Sequence, residues 1–179
     1  MNYSSKLISI TASNTSFQKV CNALIDLNGQ GLAVAGGFIR NMVWDSLFNV
    51  KTVYPVNDVD IVFMENEFPN YSEKTWEENL NLKCPQFQWS VKGQQRMAAK
   101  HQHQPYQSLN HALSKWVETA TAIGYMPLSD EWIAPYGLSD LFMGICKPTQ
   151  PEMTQIMTQR IKEKEWLERY PRLKIIEPN

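Results

Sequence analysis

The chain is short of several things at once. Its three cysteines, Cys21, Cys84 and Cys146, are odd in number and far apart. They make no zinc spacing and point to a reducing, cytoplasmic setting. The formal net charge is −1 at pH 7, so no global field draws in nucleic acid. A long RNA or DNA partner is therefore disfavoured, although a local basic patch would suffice for one. No apolar run approaches the roughly 20 residues of a membrane span, and no membrane partner is expected. Residues 1–15 are polar and lack the apolar stretch of a secretory signal. Repeats and low-complexity segments are missing too. What is left is an ordinary soluble composition, most simply one domain over residues 1–179 with enough length for a real core. The oligomeric state is not legible.

The stretch that organises the chain runs from Leu32 to Phe63. Leu32 to Ala35 is an apolar run of strand length. Gly36 and Gly37 follow, and two glycines let the backbone turn sharply and let a ligand approach the main chain. Phe38, Ile39, Met42 and Val43 then sit at helical spacing up to Phe48, with Arg40, Asn41 and Asp45 between them. The N-terminus of such a helix faces the glycines, where its free N–H groups favour an anion such as phosphate. After a turn containing Pro55 and Asn57 comes Asp58-Val59-Asp60-Ile61-Val62-Phe63. On a strand, residues 58 and 60 point to one face. Adjacent carboxylates repel, and the pair becomes sensible when a divalent cation sits between it and a triphosphate.

Gly36-Gly37 followed some twenty residues later by Asp58-Val59-Asp60 resembles the signature of the polymerase-beta-like nucleotidyltransferase superfamily. The wording Gly36-Gly37-Phe38-Ile39-Arg40-Asn41 is similar to the head of tRNA CCA-adding enzymes. Trp89 to Lys92, Glu118 to Ala122 and Ala134 to Leu138 look like a small group of bacterial nucleotidyltransferase-like proteins. The resemblance implies an α/β (α+β) fold, a small mixed sheet with helices mainly on one face. It also implies transfer of a nucleoside monophosphate from a nucleoside triphosphate to an acceptor, using Mg²⁺ or Mn²⁺ held by Asp58 and Asp60. The superfamily usually carries a third carboxylate on the next strand, here the run Phe87 to Lys92, which holds no acid. Glu118 and Asp140 are the acids that would replace it from other elements. Without a third acid, the rival reading is a nucleotide-binding or regulatory protein that does not catalyse.

Elsewhere the pattern predicts a helix over 17–27 capped by Ser16 and a helix over 73–82 capped by Ser72. Residues 1–16 read as a polar lead-in. Lys92, Arg96 and Lys100 are four apart and would form a basic stripe on a helix beginning near Gly93. With Arg40, Lys92 and Arg96 are the candidate phosphate partners, and an ordinary solvated face is the bland alternative. His101-Gln102-His103 reads as a polar loop rather than a metal site. Residues 117–126 and 131–134 read as a hairpin, with Glu118 and Thr121 facing either a ligand or a Thr-lined sheet face. A helix is expected over 139–146, where Asp140 suits the first turn by the dipole alone. A terminal helix is expected over 149–170, its stripe of Met153, Ile156, Met157 and Ile161 making core or a dimer contact and Arg160, Lys162 and Lys164 facing solvent. Residues 173–176 read as an edge strand.

Overall fold

The computed structural model describes residues 2–50 and 58–177. Most of the turn before Asp58, including Pro55 and Asn57, lies outside the described residues. The chain opens with α1 (Tyr3–Ser13) and α2 (Thr15–Asp26), then β1 (Ala33–Ala35), α3 (Gly37–Phe48) and β2 (Asp58–Phe63). There follow α4 (Glu73–Lys83), β3 (Gln88–Gly93), α5 (Gln94–Lys100) and α6 (Leu109–Leu113). The hairpin β4 (Gly124–Met126) and β5 (Glu131–Ile133) leads to α7 (Ser139–Phe142) and β6 (Ile145–Cys146). A 3-10 turn, Pro151–Met153, enters α8 (Thr154–Glu163), followed by α9 (Trp166–Arg169) and β7 (Lys174–Ile175).

The strands order β3-β2-β1-β4-β5, with β2 and β3 parallel and the other pairs antiparallel. This is the expected mixed sheet. Its faces are unequal. One carries Val34, Val59, Ile61 and Val91, and buries them under α2, α3 and α4 in the larger core. The other carries Ala33, Ala35 and Val62, and is covered by Ala98 of α5 and by Leu109, Ala112 and Leu113 of α6. Asp58 and Asp60 alternate with buried Val59, so they belong to this thinly covered face, at the end where cover is missing.

The outer edge of β3 is closed by side chains rather than by another strand. Val91 N–H donates to Glu77 Oε1 at 2.9 Å and Gly93 N–H to Glu73 Oε1 at 2.8 Å. Glu65 accepts from Gln95 N–H and Arg96 N–H, and so caps α5. An unpaired edge is a template for association, and two carboxylates occupy this one.

Five local expectations need correction. The helix expected over 139–146 ends at Phe142, and Ile145–Cys146 are strand β6, paired with β7. The lead-in is helical: Asn2 caps α1 and Tyr3, Leu7 and Ile10 pack inward. Asn14, not Ser16, caps α2 through a 2.9 Å bond from Phe17 N–H. Residues 117–122 are a buried turn, not a strand, held by bonds from Thr121 N–H and Ala122 N–H to Glu118 O. The terminal helix breaks where Glu165 takes φ 51°, which reorients Trp166 into the core.

Candidate functional site

β1 delivers the chain to Gly36, whose φ of 70° is open to glycine and strained for other residues. A Cβ there would also lie 2.6 Å from Trp116 Cζ3. Gly37 differs: its φ is ordinary, and a Cβ would meet only the Arg40 guanidinium, at 3.5 Å. The sharp turn is therefore the work of Gly36, and Gly37 leaves open space in the cleft. Gly36 N–H is spent on Ile123 O at 2.9 Å. No side chain among the described residues caps α3, the N–H groups of its first turn have no intrahelical acceptor, and Gly37, Arg40 and Asn41 of that helix border the cleft.

That cleft is about 1240 Å³. Its floor is the face of β2 and β3 bearing Asp58, Asp60, Gln88 and Ser90, and Gly37 stands at its rim. The register sets Ser90 beside Asp60 and Gln88 beside Asp58. Burial raises the Asp60 carboxyl above the ordinary carboxylate range. Asp58 adds to the rise, while the Ser90 hydroxyl, Lys164 and Arg160 oppose it. Two same-face carboxylates, one of them reluctant to ionise beside the other, suit a divalent cation whose remaining positions are filled by phosphate oxygens and water. Among the described residues no group of three or more His, Cys, Asp or Glu side chains could hold a metal.

The acids expected to supply a third carboxylate do not join the pair. Glu118 lines the cleft wall, but its buried carboxylate accepts from Arg160 Nε at 2.7 Å and Nη2 at 3.5 Å. Asp140 lies outside the cleft and accepts from Thr119 Oγ1 at 2.7 Å. Its position is explained by the first turn of α7. The basic stripe also divides. Lys92 borders the cleft, yet its ammonium lies 3.2 Å from Glu77 on α4. Arg96 is turned away and pairs with Glu73. Arg40 is 2 % exposed. Its guanidinium donates to Thr121 Oγ1 at 2.9 Å and Asn41 Oδ1 at 2.7 Å, and lies 4.2 Å from the Trp166 ring centre. Burial pushes its pKa down to about 10. Arg40 and Asn41 thus form the packed wall of the cleft.

Several cleft residues were not legible. Arg160 enters from α8 and Lys164 from the position just past its end, although the helix pattern assigns both to solvent. His103 and Tyr106 enter from the opposite side, joined by a 2.6 Å contact between His103 Nδ1 and the Tyr106 hydroxyl. Burial, with His101 and Lys115 near, lowers the His103 pKa. The signal for α8 was its two-sided pattern: Met157 and Ile161 are buried, whereas Met153, Ile156, Arg160 and Lys164 share the cleft side.

Comparison with solved structures places the fold. The chain is similar to a CCA-adding enzyme head domain solved by NMR, with TM-score 0.77 and 25% identity over 97% of this chain and 96% of that one. A CCA-adding enzyme in complex with CTP superposes with TM-score 0.60 and 14% identity, over 97% of this chain and 43% of that enzyme. The Thermotoga maritima CCA-adding enzyme complexed with tRNA gives TM-score 0.58 and 14% identity, over 97% and 42%. The chain thus spans less than half the length of those two enzymes. A search of curated proteins gives no significant match. A family model described as Nucleotidyltransferase matches residues 23–175, from within α2 to β7 and across every wall of the cleft, and the chain belongs to that nucleotidyltransferase family.

Proposed function

We propose that the cleft binds a nucleoside triphosphate with Mg²⁺ or Mn²⁺ and transfers its nucleoside monophosphate to an acceptor hydroxyl. The observation that carries this reading is the joint placement of Asp58 and Asp60 on one floor beside the uncapped first turn of α3. The backbone N–H groups after Gly36 would bind the outer phosphates, and Gly37 leaves them room. Asp58 and Asp60 would hold the cation, which when bound neutralises phosphate charge and acidifies an acceptor hydroxyl. Ser90 stands beside Asp60 in the register, where its hydroxyl favours the ionised carboxylate. The solved relatives named with CTP and with tRNA make a triphosphate the natural donor and keep an RNA 3′-hydroxyl among the acceptors to test.

Ser90 favours one second reading. A hydroxyl stands beside Asp60 on the strand where a third carboxylate was expected, so a protein that binds nucleotide without turning it over is the alternative. One experiment separates the two. Each nucleoside triphosphate, labelled on the α-phosphate, is incubated with Mg²⁺ or Mn²⁺ and either total small-molecule extract or total RNA. Label transferred to an acceptor, with pyrophosphate released and both lost in Asp60→Asn, supports the transferase. Saturable binding in wild type without transfer supports the binding protein. No binding of any triphosphate by wild type overturns both.

A further inference from the structure

Among the cations that border the cleft, Lys115 and Lys164 make no ion pair with a described residue, and the others differ in what holds them. Lys92 is engaged by Glu77, Arg96 by Glu73 and Arg169 by Asp45. Arg40 is enclosed by Thr121, Asn41 and Trp166. On α8 the situation differs. Arg160 and Lys164 are one turn apart on the side that lines the cleft, while Met157 and Ile161 on the other side are buried and fix the helix in place. Lys164 is exposed and makes no ion pair among the described residues. The Arg160 side chain is 31 % exposed. The Glu118 carboxylate takes its Nε and Nη2, leaving Nη1 uncommitted. A buried acid that grips one edge of a guanidinium holds the other edge in a fixed direction, ready for a planar, bidentate contact with phosphate.

From this we infer that Arg160 and Lys164 form the cation clamp for the triphosphate, facing the Asp58–Asp60 floor across the cleft, and that Glu118 is the positioning residue that aims Arg160. The inference rests on the nucleotide-binding reading above. It assigns the phosphate-binding role to the C-terminal wall instead of Lys92 and Arg96. A guanidinium held on a carboxylate is directional, and the ammonium four residues on is a mobile point charge. Together they suit an extended polyphosphate better than a single phosphate.

The test is calorimetric titration of wild type, Lys164→Ala, Arg160→Lys, Glu118→Gln and Glu118→Asp. The probes are Mg²⁺ with each of the four nucleoside triphosphates and Mg²⁺ with inorganic tripolyphosphate. Lys164→Ala should bind both kinds of probe at least about tenfold more weakly, the usual loss for a charge-assisted bond. Its ligand-free melting temperature should be unchanged. Arg160→Lys should lose affinity although it keeps the charge. Glu118→Asp should retain more affinity than Glu118→Gln. Wild-type affinity in Lys164→Ala and Arg160→Lys would overturn the clamp while leaving the nucleotide site standing. If wild type binds tripolyphosphate through Lys164 but no nucleotide, the clamp is a polyphosphate site and the transferase reading fails. If wild type binds neither probe, both fall.

Discussion

Two pairs of basic residues, each four residues apart, lie at or near the cleft, and the molecule uses them in opposite ways. Lys92 and Arg96 straddle the end of β3, where α4 presents Glu77 and Glu73 to close the sheet edge. Their charges are met by acids whose first duty is to the backbone. Arg160 and Lys164 project from the C-terminal end of α8, where Arg160 pairs with buried Glu118 and Lys164 has no ion-pair partner among the described residues. The same residue types at the same spacing become lid fittings in one place and a ligand-facing surface in the other. The deciding factor is which neighbour has already claimed the charge.

The strongest way to break this contrast is to remove the anchor of the second pair. Glu118→Ala leaves Arg160 partly buried without its carboxylate and opens a hole beneath it. The loss should be about 3 kcal/mol, at the lower end for a broken buried pair because Arg160 reaches solvent. For a chain of this size that corresponds to a melting temperature lower by roughly 6–12 °C. Calorimetry that finds less than a few degrees would show Glu118 to be a bystander. The next effect in size is on affinity alone: Lys164→Ala weakens triphosphate binding about tenfold or more, while the double variant Lys92→Ala/Arg96→Ala leaves it within about twofold. A reversal of these two results would return the phosphate site to the β3 end.

A smaller effect, with a pH signature, comes from Asp60. Burial raises its pKa in the folded chain, so the folded state holds the proton more tightly than the unfolded state does. The stability this gives is present in acid and lost as pH rises through the folded value. At neutral pH the ionised carboxylate is a cost. Ligand-free Asp60→Asn should therefore melt at or slightly above wild type at pH 7, and the advantage should fade toward the ordinary carboxylate range. Added Mg²⁺ and triphosphate should stabilise wild type by about 2.7 kcal/mol at 100 times the dissociation constant, and the variant far less. A ligand-free variant that melts well below wild type would mark Asp60 as a structural acceptor. The smallest effect belongs to Arg96→Ala, whose pair with Glu73 is exposed on the arginine side. It should cost no more than about 0.5 kcal/mol by denaturant titration.

What the sequence revealed follows the same division between near and far. The strand, the glycine turn, α3 and the Asp pair are legible because each is set by neighbours along the chain: apolar run, glycines, helical period, alternation. The acid-free β3 was equally plain. The turn at 117–122 was not, since its threonines, with Ile123 next in the chain, carry a strand-like composition while tertiary contacts fold it around the Glu118 carbonyl. α1 was hidden because three apolar residues among serines and threonines give little contrast until α3 and α7 supply a surface for them. Lys164 is the clearest case. A lysine on an amphipathic helix reads as solvent-facing, and that reading holds. The solvent it faces is a cleft whose floor lies some hundred positions earlier in the chain, and no local rule contains that fact.

The tryptophans give the cleft an optical property. Three of the six in the chain, Trp89, Trp116 and Trp166, border it. Trp166 lies under Arg40, with the Arg160 guanidinium 5.9 Å from its ring centre. Indole emission depends on the field of nearby charges. A polyanion that engages Arg160 would change that field without any movement of the backbone. Intrinsic fluorescence should therefore report occupancy without a label: the emission of wild type should shift on titration with Mg²⁺ and triphosphate, and most of the shift should vanish in Trp166→Phe. An unchanged shift in that variant would place the bound charge beside Trp89 or Trp116 instead.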